Sequence, residues 1–229
     1  MESQSELRTQ IKELLVSKSG LKQRVFDNTN AIFIELKDVL HEFSTEIDEE
    51  LDDQIDKRIR IEYRDRGKFE AQIQMAGDVL VFNMHTNVFN FEREHRIWHN
   101  PYVQADRANS YCGVINIYNF LSDSFKFNRA DDEGYLVCRI FVNHENKFFV
   151  EGKRQERWRV DSFGSEEISR NAIVEIIERA MLYSLGFDLL MPPYEAVKNV
   201  SLEQFNSRQE NSKIQTGKRL GYEFRTDDI

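Results

Sequence analysis

The spacing of apolar residues changes near residue 57, and that change fixes the fold class. Before it, Val25, Ile32, Phe33, Leu36, Leu40, Phe43, Ile47 and Leu51 recur at steps dominated by three and four. This is the period of a helix with one buried stripe. After it, RIRIEYRDRG (58–67) alternates, with Ile59, Ile61 and Tyr63 on one face and Arg58, Arg60, Glu62, Arg64 and Arg66 on the other. Period two is a strand. Further strands are predicted at 69–77, 78–84, 87–91, 111–120, 135–142, 147–152 and 154–163. Turn residues join them with no helix between, so the pattern is a mostly antiparallel meander of about seven or eight strands.

Helices are predicted on both sides of the sheet region. The first pair covers about 3–18 and 21–55, separated near Gly20. The run EIDEELDDQID (46–56) holds seven acids, which at a helix C-terminus would oppose the macrodipole. Thr45 and Asp48 fit a T-x-x-D capping box, so a break is predicted near 44–45, with the acids filling the first turns of a new helix. A C-terminal helix is predicted over 165–186. Ser165 caps it, two glutamates follow, Ile168, Ala172, Ile176, Ala180 and Leu185 form its buried face, and Gly186 takes the C′ position. Pro192 and Pro193 stop it, and SLEQ at 201 begins a weaker helix.

The result is one α+β domain. Residues 1–56 form an N-terminal helical segment, 57–163 the sheet, 164–205 the C-terminal helices and 206–229 a polar, mobile tail. The long N-terminal helix and the C-terminal helix are expected on one face of the sheet.

Charge is the main clue to partners. The net charge of −9 is uneven: residues 1–56 carry 6 Lys+Arg against 14 Asp+Glu (−8), 57–160 carry 17 against 14 (+3), and 161–229 carry 8 against 12 (−4). The N-terminus lacks the basic and apolar regions of a signal peptide, and apolar runs are too short to span a bilayer. A cytoplasmic location without membrane contact is expected. Cys112 and Cys138 show no C-x-x-C spacing and read as free, buried thiols.

The stretch EHRIWHNPYVQADRANSYCG (94–113) gathers the unusual residues. On a helix, Glu92, His95 and His99 would share a face and could ligate a metal. The zincin pattern fails, because Arg96 stands where the general-base glutamate should be. Cys112 alternates into a strand, away from the electropositive setting a nucleophilic thiol needs. Arg58, Arg60 and Arg64 on one strand and Arg157 and Arg159 on another would make a cationic face if the strands were neighbours. The chain's acidity argues instead that these arginines pair with acids. No nucleotide-binding, nucleophile-elbow or zincin motif occurs.

The sequence therefore reads as a non-enzymatic protein- or ligand-binding or adaptor domain, homo-oligomeric and without a cofactor. A protein partner or self-association is expected first and a small ligand second. The long connection 92–110, with Trp98, Tyr102, Asp106 and Arg107, is the expected recognition loop. A metal-dependent hydrolase using Glu92, His95 and His99 is one alternative. RNA or single-stranded DNA binding through the arginines is the other.

Overall fold

The computed structural model describes residues 4–51, 54–56, 59–130, 132–188, 191 and 193–202. Arg58, most of the segment after Ser201 and the tail 206–229 lie outside them. The fold is α+β. α1 (Gln4–Leu14) passes through a π-helical turn (Leu15–Ser19) into α2 (Gly20–Leu51). One sheet follows, with β1 (Ile61–Asp65), β2 (Glu70–Met75), β3 (Asp78–Met84), β4 (Gly113–Leu121), β5 (Tyr135–Val142) and β6 (Phe148–Gly152). Short helices α3 (Pro101–Ala105) and α4 (Ser122–Lys126) lie in its connections, and α5 (Arg170–Leu185) and α6 (Tyr194–Val197) complete the chain. Strand order is β1-β2-β3-β4-β5-β6, and every neighbouring pair is antiparallel.

Among the described residues six strands form, not seven or eight. Residues 87–91 make only an isolated bridge, Phe89 to Cys112. Side chains there satisfy the backbone in place of a ladder: His85 Nδ1 accepts from Asn87 N, and Asn90 Oδ1 from Phe91 N. The segment 154–163 folds into two 3-10 turns, Glu156–Trp158 and Val160–Ser162. Trp158 is buried by this turn and its Nε1 donates to Glu166 at 3.0 Å.

The helix boundaries also differ from the sequence reading. α2 runs through Ser44 and Thr45 without a break. Both hydroxyls donate back to the His41 carbonyl, at 2.8 and 2.9 Å, so neither caps a new helix. Packing decides the outcome, since Leu40 is fully buried and Ser44 is buried after it. Gly20 keeps right-handed helical angles, so the rod continues past it. α5 starts at Arg170, with Ser169 accepting from Ala172 N. Ahead of it, 165–168 lies against the start of β6, through the Lys147–Glu167 bridge and Ile168 N donating to Asn146 O.

The main core joins Phe33, Leu36 and Leu40 of α2 and Ile173, Ile176 and Ile177 of α5 to Ile73, Phe82, Ile115, Ile140 and Val150 of the strands. A smaller core forms from the alternate residues Val114, Phe141 and Phe149, closed by Ile97, Val103, Val160 and Phe163. The main core thus lies on one face of the sheet and the smaller core on the other. α2 crosses β4 so closely that a Cβ on Gly113 would lie 2.1 Å from Thr29 Oγ1.

Two substitutions test these assignments by urea denaturation. Gly113→Ala is expected to destabilise the fold by about 1–3 kcal/mol through overpacking, with recovery in Gly113→Ala/Thr29→Ala. Ser169→Ala is expected to cost about 1 kcal/mol as a lost N-cap, while Ser165→Ala stays within about 0.5 kcal/mol as a surface change.

Candidate functional site

The second face of the sheet carries a row of polar side chains at matched register. Glu70 pairs with Asn83, Asn83 with Asn116, Asn116 with Arg139 and Arg139 with Glu151. Side chains in such a row stand about 4.8 Å apart on one face. Val81 and Tyr118 form the next row to one side, and Val114, Phe141 and Phe149 the row to the other. The polar stripe therefore lies beside an apolar row, while the row on its other side continues from Val81 into Gln72 and Arg64.

The connection between β3 and β4 roofs half of this face. It is a chain of short capped turns. His95 Nδ1 caps Arg96–His99 by accepting from Ile97 N, Asn100 caps α3 by accepting from Tyr102 N, and Asp106 caps Arg107–Ser110 by accepting from Ala108 N. Asn100 is the anchor. It is buried, and its Nδ2 donates to the carbonyls of Val160 at 2.9 Å and Phe163 at 3.1 Å, tying the connection to the turns after β6. Tyr102 adds a second tie, donating to Glu145 and accepting from Asn143 Nδ2 at 2.8 Å. Burial and the Glu145 carboxylate push its pKa up.

Where the roof ends, a cleft of about 660 Å³ opens. His85, Phe89, Asn90, Phe91, Glu92, Glu94, His95, Val114, Asn116, Tyr118, Arg139 and Phe141 line it. Its aromatic wall is ordered: Phe141 stacks on Phe149 at 4.6 Å and 12°, and Phe91 lies 5.3 Å from Phe141 and 4.5 Å from His95. The Arg139 guanidinium sits 5.1 Å above the Phe141 ring, with Nε and Nη2 each 2.7 Å from Glu151 Oε2. The other Glu151 oxygen lies 3.2 Å from His95 Nε2. Glu94 and His95 also line a second hollow of about 430 Å³, bounded by Glu151 and Arg159.

The hydrogen bonds define what this arrangement can do. His95 Nδ1 accepts a backbone N–H, so the ring proton sits on Nε2 and points to Glu151. Both nitrogens are engaged, leaving none for proton abstraction or metal ligation. Among the described residues, no three of His, Cys, Asp or Glu are grouped to hold a metal. Glu92, His95 and His99 are not brought together as a ligand set. Cys112 and Cys138 are free and fully buried, and burial pushes both thiols up, that of Cys138 to about 12. By contrast, the Asn116 amide and the Tyr118 hydroxyl, both half-buried in the cleft, bond to no other described residue.

The other candidate residues are dispersed. β1 and β6 are opposite edges of the sheet, so the arginines beside β1 and those after β6 are not on neighbouring strands and do not form one cationic patch. Arg64 pairs with Glu62 at 2.7 Å, Arg60 with Asp48 at 3.4 Å, Arg157 with Glu175 at 2.9 Å and Arg159 with Glu156 at 4.0 Å. Trp98 Nε1 donates to the Glu92 carbonyl at 2.7 Å and its ring packs on the smaller core. Asp106 is a cap, and Arg107 and His99 are exposed. The sequence reading located the connection but not the cleft floor, Asn116, Tyr118, Arg139 and Phe141. One signal was available: Asn116 interrupts an otherwise apolar face of β4.

Two measurements check this account. Asn100→Ala removes partners from buried backbone groups, each worth about 1–3 kcal/mol. A loss of at least about 2 kcal/mol in urea stability is expected. The thiols should stay unmodified by a disulfide reagent at mildly alkaline pH until the chain unfolds. Because their folded pKa values are raised, the stability they contribute is present below the unfolded value of about 8.5 and declines as pH rises toward the folded one.

No protein-family model matches this chain, and comparison with curated proteins and with solved structures also finds no match.

Proposed function

We propose that this chain is a non-enzymatic ligand-binding domain whose site is the cleft on the second face of the sheet. The observation that carries the reading is the pairing of unsatisfied polar groups with aromatic surface in one hollow. Asn116 offers an amide donor and acceptor, and Tyr118 a hydroxyl, between Phe91, Phe141 and Val114. The volume lies within the range of small-molecule sites, and aromatic side chains beside a few convergent polar groups are a common means of binding in them.

The charges narrow the ligand. Arg139 is matched by Glu151, while Glu92 and Glu94 stand in the lining without a second cation there. An anionic ligand would face net negative charge. An uncharged planar compound with an amide or hydroxyl edge could stack on the aromatic wall and hydrogen-bond to Asn116. The engaged nitrogens of His95 and the protonated thiols favour binding without chemistry.

Saturation-transfer NMR with benzamide, nicotinamide and adenosine tests the reading, with benzoate as the anionic control. At least one uncharged compound is expected to bind and to outcompete benzoate, and Asn116→Leu should abolish its signal. Absence of binding by all three, or binding unchanged in both Asn116→Leu and Phe91→Ala, contradicts the proposal.

A further inference from the structure

Two histidines line the cleft, and both are used in the same way. His85 Nδ1 accepts the Asn87 N–H at 3.0 Å, and His95 Nδ1 accepts the Ile97 N–H at 3.1 Å. Each takes the backbone N–H two residues on, the role that Asn100 plays for Tyr102 and Asn143 for Glu145. Each ring also rests on a phenylalanine of the cleft wall. His85 lies 4.6 Å from Phe89, edge to face, and His95 lies 4.5 Å from Phe91. Phe91 in turn reaches Phe141 and Phe149. The segment that supplies Phe89 and Phe91 is thus held at both ends by a capping imidazole.

An asparagine makes such a cap at any pH. Histidine makes it only while Nδ1 keeps its lone pair. A protonated ring carries N–H at both nitrogens, so Nδ1 and the backbone amide would point two donors at each other. The ring must turn to separate them, and turning takes it off its phenylalanine. The charged groups around the rings set which bond yields. At His95, Glu151 of β6 faces Nε2 at 3.2 Å, and Arg139 of β5 holds the other oxygen of that carboxylate. Glu92 and Glu94 share the cleft lining, with Arg96 and Arg159 in the adjoining hollow. Glu151 tightens its hold on a charged ring, so the bond given up is the cap. His85 shares the lining with Glu92, Glu94 and Arg139, and its Nε2 bonds to no other described residue. Asn87 is exposed, so its freed N–H passes to water. Ile97 is fully buried, so its freed N–H is costly to leave in place and the Arg96–His99 turn must open to satisfy it.

We propose that His85 and His95 gate the cleft by pH. Protonation breaks both caps and loosens the Phe89–Phe91 wall, so an uncharged planar ligand is held at neutral pH and released in acid. The release rests on the reading of the cleft as the ligand site; the loosening of the wall does not.

NMR of the ligand-free chain from about pH 8 to about pH 5 spans the ordinary imidazole range, centred at about 6.5. At the alkaline end both rings are expected to carry their proton on Nε2, read from the imidazole nitrogen shifts. As each ring titrates, the amide proton of the residue it caps, Asn87 or Ile97, should move with the same midpoint. The Tyr102 amide, capped by Asn100, should stay fixed. Affinity for benzamide and adenosine, neither of which titrates in this range, should fall at least about fivefold in acid, the equivalent of one lost cap. His85→Asn/His95→Asn keeps both acceptors without a titrating ring and is expected to remove the pH response of the amides and of the affinity. A neutral ring protonated on Nδ1, capped amides that stay fixed while the rings titrate, or a Tyr102 amide that moves with them overturns the gate. So does an affinity that is constant across the range, or an equal fall in the double variant. Absence of binding at every pH contradicts the ligand reading instead, and the amides still decide whether the wall is gated.

Discussion

Burial of the α2 stripe on the sheet is the constraint from which the remaining geometry follows. Phe33, Leu36 and Leu40 are fully buried there, and α5 shares the same core. Each deeply buried side chain of this size contributes about 1.5–3 kcal/mol relative to exposure. That commitment sets the strand register. A slip of one residue would send Ile73, Phe82, Ile115 and Ile140 to the wrong side. The polar row from Glu70 to Glu151 is thereby fixed on the opposite face.

The opposite face is not uniform, and this explains why a cleft exists. Phe141, Phe149 and Val114 make its β5–β6 end apolar, so that end must be covered. The connection 92–110 and the turns at 156–162 cover it, joined at Asn100. The cover stops where the face becomes polar, at Asn116 and Arg139. A hollow opens at that boundary, with rings from the cover on one side and the polar stripe as its floor. The Arg139–Glu151–His95 chain marks the seam, and it engages His95, one member of the metal set that the sequence had suggested.

Much of this architecture was legible in the period of the apolar residues. The switch near residue 57 gave the helix–sheet order, and the apolar pattern located each of the six strands, together with 87–91 and 154–163, which form none. What failed depended on competition between local and tertiary terms. Thr45 has a good capping sequence, yet its hydroxyl bonds back to His41 because the core holds the helix straight. RQERWRVDSF alternates well, yet Trp158 is buried by turning the chain, with its Nε1 on Glu166. Ser165 was the expected cap, but the bridge from Glu167 to Lys147, just ahead of β6, holds 165–168 out of the helix and Ser169 caps it instead. The cleft residues were illegible for another reason. Asn116, Arg139 and Phe91 are distant in sequence, and only the strand order brings them together.

The most direct test is a crystal structure of the protein soaked with the uncharged planar compounds. The account predicts density for the ring between Phe91 and Phe141, with an edge within hydrogen-bonding distance of the Asn116 amide. Density confined to another hollow, such as that beside Phe26 and Phe69, with the Asn116 cleft holding only solvent, would contradict it.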